Sequence, residues 1–381
     1  MAASMKQVCR FRQLFSLKPS VSLTGCLCSL PITDRRPHVS SVNYNYGPRL
    51  FRTSCYSTQQ LEDKIKPPIK PKRYALDRLV KFITNSADKL EKRVPSVFQV
   101  YRTFRTGVSS FVSDTKDYYR VSSRLWAGES LAAFSRKELE LYRQFSSDLP
   151  LVGLIFVIAF APGGVAVFPF AYVFPQHLLS HHFWTPQQKE EFRRIALTKR
   201  LKHYDSILDY LHLLSQHIED ATAKEGVHKA IQKVDSNVVL TAKEILELSP
   251  LFEGKPYNMD CLSLRHMRHL GKSLGLSVRR KRLVKDALLL HYMDVAILRE
   301  GINNMTDEEL DKACDWRGLN PQGLWRKDKI AYLESWTQVS ATAHESSISL
   351  LLHLPVLLGY CLPTNRELMG PKSTRLRGRL S

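Results

Sequence analysis

Residues 151–174 read LVGLIFVIAFAPGGVAVFPFAYVF. The stretch is apolar or small throughout, and no charged residue lies between Leu149 and Gln176. At ~1.5 Å of rise per residue, a helix of this run spans a hydrocarbon core of ~30 Å. Pro162-Gly163-Gly164 and Pro169 free backbone carbonyls that lipid cannot satisfy, so the expected element over 149–176 is a single kinked transmembrane helix. A buried helical hairpin turning at Ala161 to Gly164 is the alternative. A later apolar run, Ile348 to Leu362, is shorter and contains His353 and Pro355, which suits a core helix.

Upstream of the span, Arg136 to Phe145 has helical spacing, as does a stretch from about Val97 to Leu125 interrupted by Gly107. Tyr74 to Val94 places Leu76, Leu79, Val80, Ile83, Ala87 and Leu90 on one helical face before Pro95. Together, 74–148 form a helical pre-membrane region. Residues 59–73 contain LEDKIKPPIKPKR, a linker in which Pro67, Pro68 and Pro71 fix the backbone among repelling lysines. Residues 1–58 carry many Arg, Lys, Ser and Thr with Asp34 as the one acid. That composition is a mitochondrial transit peptide, with a disordered basic tail as the bland alternative. Four of the seven cysteines (Cys9, Cys26, Cys28, Cys55) fall there, and the chain lacks the dense spacing of a disulfide scaffold.

The 381 residues hold 56 Lys+Arg against 36 Asp+Glu, a net charge of +20. Such an excess calls for a polyanionic partner or a targeting signal. Both flanks of the span are basic: Arg136, Lys137 and Arg143 before it, and Lys189, Arg193, Arg194, Lys199, Arg200 and Lys202 after it. The larger group leans the C-terminal side toward the mitochondrial matrix.

Downstream, Trp184-Thr185-Pro186 forms the membrane junction. Thr185 is an N-cap, Pro186 occupies the first helical position, and Gln188 closes a capping box. The helix is expected to run to about Glu219. Further capping boxes pair Thr241 with Glu244 and Thr306 with Glu309, and Gly275 and Gly318 suit left-handed helix ends. No segment alternates apolar and polar residues as a strand would, so the region is all-α. It extends over 177–362, and a basic tail follows at 363–381.

Gly271-Lys272-Ser273-Leu274-Gly275 matches the nucleophile-elbow spacing, but that serine needs a strand-to-helix turn and this one follows a helix. A phosphate loop would place its first glycine at His266. His177, His181 and His182 lie at the membrane edge, and His266 and His269 sit one turn apart. With no third ligand nearby in sequence they read as surface or interface histidines, not a metal site. Asp307, Glu308, Glu309 and Asp311 lack the glycine of an EF-hand and read as an acidic first helical turn. No catalytic residue, metal or cofactor is expected. The main polar constellation is Arg265, His266, Arg268, His269 and Lys272, followed by Arg279, Arg280, Lys281, Arg282 and Lys285. These cations suit ribosomal phosphates or acidic lipid headgroups such as cardiolipin, or form a merely solvated face.

The span running into Phe174-Pro175-Gln176-His177-Leu178-Leu179 and Phe183 resembles the LETM family of mitochondrial inner-membrane proteins, especially its short animal members. So do Glu244-Ile245, Leu251-Phe252, the run Glu309-Leu310-Asp311-Lys312-Ala313-Cys314-Asp315-Trp316-Arg317-Gly318-Leu319, Leu333 to Trp336, and Ser349 to Leu352. The likeness covers about Leu141 to Leu362 and lacks the coiled-coil and EF-hand tail of the long members, which argues against a calcium-binding role. It implies a 14-3-3-like helical ribosome-binding-type domain in the matrix, association with mitochondrial ribosomes, and a part in cation/proton exchange. The expected function is a non-enzymatic inner-membrane scaffold supporting cristae and respiratory-chain assembly, with the assembly machinery as partner. The alternatives are a component or regulator of exchange, for which one uncharged span would need a homo-oligomer, and an outer-membrane signalling adaptor.

Overall fold

The computed structural model describes residues 98–159, 175–276, 279–343 and 347–370, with isolated positions between 65 and 85. All of them belong to the compact unit Thr53–Ser381. The transit peptide, most of the linker, residues 160–174 and the end of the basic tail lie outside the described residues. Among the described residues there is no strand, as the helix-period patterning requires.

The order is α1 (Phe98–Trp126), a 3-10 turn at Leu131–Ala133, α2 (Arg136–Ala159), α3 (Pro175–Leu178), a 3-10 turn at His181–Phe183, α4 (Pro186–Leu201), α5 (Tyr204–Ser215) and α6 (Ala221–Asp235). Then come α7 (Ala242–Glu247), α8 (Ser249–Glu253), α9 (Leu264–Ser273), α10 (Arg280–Glu300), a 3-10 turn at Ile302–Asn304, α11 (Asp307–Trp316), α12 (Arg326–Thr342), α13 (Ile348–Gly359) and α14 (Pro363–Met369). The three capping boxes form at Thr185, Thr241 and Thr306. Each satisfies helix-end N–H groups that would otherwise be orphaned. Gly275 and Gly318 take the left-handed φ of 71° and 83°.

One helix is shorter than expected. The chain breaks after Leu201 and restarts at Tyr204 instead of continuing to Glu219. Tertiary packing causes the break: Tyr204 is fully buried and its hydroxyl donates to the Gly318 carbonyl at 3.2 Å. A Cβ at Gly318 would collide with that hydroxyl, so glycine is needed there for space as well as for φ.

The core centres on α13, every residue of which is buried by α5, α8, α10 and α12. The run from Ile348 is therefore a core helix, as expected. Beside it sits a buried polar knot. The Arg317 Nε–H donates to Asp294 Oδ1 at 2.9 Å, while Trp336 Nε1–H and Ser340 Oγ–H donate to Asp294 Oδ2 at 2.9 and 2.5 Å. Arg317 also donates to the Ala313 carbonyl at 2.8 Å. A buried charge pair is tolerated only when its remaining hydrogen-bonding positions are filled, and this one ties α10, α11 and α12 together.

The pre-membrane helices are not a separate module. Val121, Leu125, Leu139 and Tyr142 join the same core as α4 to α13. Arg143 on α2 grips Asp286 on α10 through two hydrogen bonds of 2.7 and 2.6 Å, with its guanidinium 4.7 Å from the centre of the Trp316 ring. The paired donors of a guanidinium match a carboxylate's geometry, so α2 is fixed in rotation as well as position.

A single crossing of the membrane is not what the described residues show. Asp148, at the start of the apolar run, accepts a 2.6 Å bond from His181 just beyond its end, and α3 packs against α2. One crossing would separate these ends by ~30 Å. No single helix among the described residues is long and apolar enough to cross a membrane.

Candidate functional site

The sequence-predicted cations lie on α9, on α10 and just before it. Arg265, Arg268, Lys272, Arg279, Lys281 and Arg282 are exposed, while Arg280 is half-buried and donates to Asp260 at 2.9 Å. Lys285 does not belong with them. It is half-buried with its ammonium 5.5 Å from the Tyr142 ring centre, and burial followed by repulsion from Arg282 pulls its pKa down. Position on α10 explains the difference: Leu283 and Asp286 face the core, and Lys285 sits at the margin of that face.

The histidines also divide. His266 is fully buried, stacked on Tyr210, with its Nε2 3.0 Å from Nε2 of His353 on α13. His353 Nδ1–H donates to the Ser349 carbonyl at 2.7 Å, so its Nε2 accepts from His266. Burial holds both neutral, with pKa values near 2 for His266 and 4 for His353. His269 instead faces His203 on the connection between α4 and α5, Nδ1 to Nδ1 at 3.3 Å. The 266/269 pair therefore shares no site, and His266 leaves the basic surface: its helix face points into the core.

Ser273 is buried and its hydroxyl donates to the Leu270 carbonyl at 2.8 Å, which is helix bonding and not a nucleophile elbow. The acidic turn of α11 is occupied by cations: Asp307 with Arg326 at 2.6 Å, Asp311 with Lys329 at 2.5 Å, and Glu309 with Lys137 at 2.9 Å and Arg136 at 3.0 Å. Burial raises the Glu309 pKa, but these donors and the Thr306 N–H outweigh it and hold the carboxyl near 2. Cys261, Cys314 and Cys361 are free thiols, and burial pushes Cys314 up to about 12, so it is inert.

Around Trp184-Thr185-Pro186, after the apolar run, the geometry is richer than the sequence indicated. The half-buried Trp184 donates its indole N–H to the Pro175 carbonyl at 3.0 Å and sets its ring edge-on to Phe192, so its polar tip is spent on the returning chain. The 3-10 turn ahead of it packs directly on α1. A Cβ at Gly107 would lie 2.6 Å from Phe183 Cδ1 and 2.8 Å from the His182 carbonyl. That close approach brings His182 Nε2 to 2.9 Å from Asp114 Oδ2 and Nδ1 to 3.2 Å from Ser180 Oγ. The His181 and His182 rings lie 3.9 Å apart, with Asp148 on His181 Nδ1. Asp114, His181 and His182 each offer one donor atom, and the three atoms lie within 4.8 Å of one another. The adjacent histidines were visible in the sequence; the aspartate 67 or more residues upstream was not, because only the packing of α1 supplies it.

The profile of the family described as LETM1-like, RBD matches residues 134–357. LETM1 domain-containing protein 1 of Xenopus tropicalis is 30% identical over 277 residues, covering 71% of this chain and 79% of that protein. Its Homo sapiens counterpart is 28% identical over the same length, covering 77% of that protein. A Drosophila melanogaster protein named mitochondrial proton/calcium exchanger protein is 24% identical over 248 residues, which is 24% of its own length.

Proposed function

The chain belongs to the LETM1-like family, and on that premise we propose that it is a non-enzymatic scaffold of the mitochondrial inner membrane. In this reading its helical body sits in the matrix and binds the mitochondrial ribosome, supporting cristae and respiratory-chain assembly. The observation that carries the proposal is the cationic stretch of α9 and α10, with Arg265, Arg268, Lys272, Arg279, Lys281 and Arg282 all exposed. Several such cations neutralise several phosphates, with affinity that falls steeply as salt displaces them. The apolar run anchors this body from one side of the bilayer, since α2 and α3 bring its two ends together.

The test uses the full chain in detergent, because a fragment beginning at Thr185 would strip α2 from the core it covers. Reversing Arg279, Lys281 and Arg282 together to Glu should abolish co-sedimentation with mitochondrial ribosomes at physiological salt and leave the helical circular dichroism unchanged. Arg280 is spared because it pairs with Asp260. Unchanged sedimentation would remove this surface as the ribosome contact. Loss of flotation on cardiolipin-containing vesicles alone would move its role to lipid. A part in cation/proton exchange has support only from the name of the Drosophila relative, of which the match covers 24%.

A further inference from the structure

We propose that Asp114, His181 and His182 bind a divalent transition metal of the zinc class at the neck of the apolar run. The donor set comes first. Two imidazole nitrogens and one carboxylate oxygen converge within 4.8 Å of one another. Around a tetrahedral zinc ion with bonds of ~2.0–2.1 Å, ligand atoms stand ~3.3 Å apart, so small side-chain rotations close the site. Hard cations such as calcium ask for six to eight oxygens, whereas imidazole with carboxylate suits zinc and its neighbours.

The outer partners of the two histidines are those of metal ligands. A histidine that ligates a metal holds its other nitrogen on a carboxylate, hydroxyl or carbonyl, which fixes both tautomer and ring direction. Here Asp148 takes His181 Nδ1 at 2.6 Å and Ser180 Oγ takes His182 Nδ1 at 3.2 Å. Each ring thus keeps one nitrogen for the metal. With Nδ1–H of His182 donated to Ser180, its Nε2 lone pair would face the Asp114 carboxylate at 2.9 Å, acceptor against acceptor. A cation between them resolves that conflict. The metal-free alternative reverses the serine, with Ser180 donating and Nε2–H donating to Asp114.

The site joins α1 to the turn that follows the apolar run, with Asp148 at the run's start as the orienting carboxylate. A bound ion would therefore staple both ends of the membrane segment to the helical body. The side chain of His182 is 1% exposed, while those of Asp114 and His181 are 30% and 27% exposed, so solvent reaches the site for the ion and for a fourth ligand.

The test titrates chelator-stripped full chain, in detergent, with Zn2+ against a competing chromophoric chelator and with Co2+ by visible absorption. Wild type should bind one ion with a tetrahedral nitrogen/oxygen cobalt spectrum free of thiolate charge-transfer absorption, which separates this site from ions held by cysteines. Asp114→Asn and His181→Asn should each lose that ion, and Asp148→Asn should keep it with affinity lowered about ten- to hundred-fold. Zn2+ should raise the wild-type Tm and leave that of Asp114→Asn unchanged. Retention of the nitrogen/oxygen-bound ion in Asp114→Asn or His181→Asn overturns the assignment. So does a wild-type titration without it, which needs no variant to fold and establishes the metal-free pairing instead.

Discussion

His353 and His266 are held neutral in the core, and this dictates a pH dependence. In the unfolded chain both imidazoles take up protons below ~6.5. In the folded protein burial prevents this until pH falls near 4 for His353 and near 2 for His266. The stabilisation is thus complete above about 6.5 and is lost progressively as pH falls toward 4. The Tm of the full chain should drop over that interval, and His353→Gln should show a shallower drop because the amide can serve both hydrogen bonds without titrating. An identical slope in the two proteins would remove this pair as the acid-labile element. The buried pairing was not legible at residues 266 and 269, whose one-turn spacing says only that they share a helix. Which of them turns inward was decided by α13, 87 residues away.

Helix α1 shows how an element can oppose its own propensity. Gly107 weakens a helix by ~1 kcal/mol relative to alanine, so the helical pattern is interrupted there. Glycine is needed because the turn His181–Phe183 lies on the helix backbone at that point, where a Cβ would come 2.6 Å from Phe183. Gly107→Ala should therefore lower stability by ~1–3 kcal/mol despite its better propensity, since overpacking outweighs the local gain. The measurement is urea unfolding of the full chain. A stability increase would mean that the turn does not rest on α1. Elements governed by local bonding were legible in advance: the capping boxes at Thr185, Thr241 and Thr306 and the left-handed Gly275 and Gly318 need only neighbours along the chain. The break at residues 202–203 was not, because it carries neither proline nor glycine and follows from Tyr204 reaching Gly318.

For the whole molecule, the meeting of Asp148 with His181 places the two flanks of the apolar run on one side of any bilayer it enters. An epitope inserted after Gly128, in the exposed connection between α1 and α2, and a second after Gly323, in the exposed connection between α11 and α12, should become protease-sensitive together in mitoplasts or be protected together. Digestion of one with protection of the other would restore a single crossing. The same geometry gives the charge flanks a different meaning. Arg136 and Arg143, counted from sequence as one side of a membrane, are paired with Glu140, Glu309 and Asp286 inside the body. Their charge is spent on docking α2, so the orientation rule cannot be applied to them as to free loop cations.

By itself the sequence determined that this protein is helical, where the helices at Arg136, Pro186, Ala242, Asp307 and Ile348 begin, that it carries an apolar run long enough to meet a membrane, and which residues resemble the LETM family. These properties rest on periodicity, capping and local composition, each written within a few turns of chain. Only the tertiary structure decided that α2 belongs to the same core as α10 and α11, that His266 and Lys285 leave the basic surface, and that Asp114 and Asp148 converge on His181 and His182. Those outcomes depend on contacts between residues tens of positions apart, which arise when apolar faces pack and carry their polar neighbours with them.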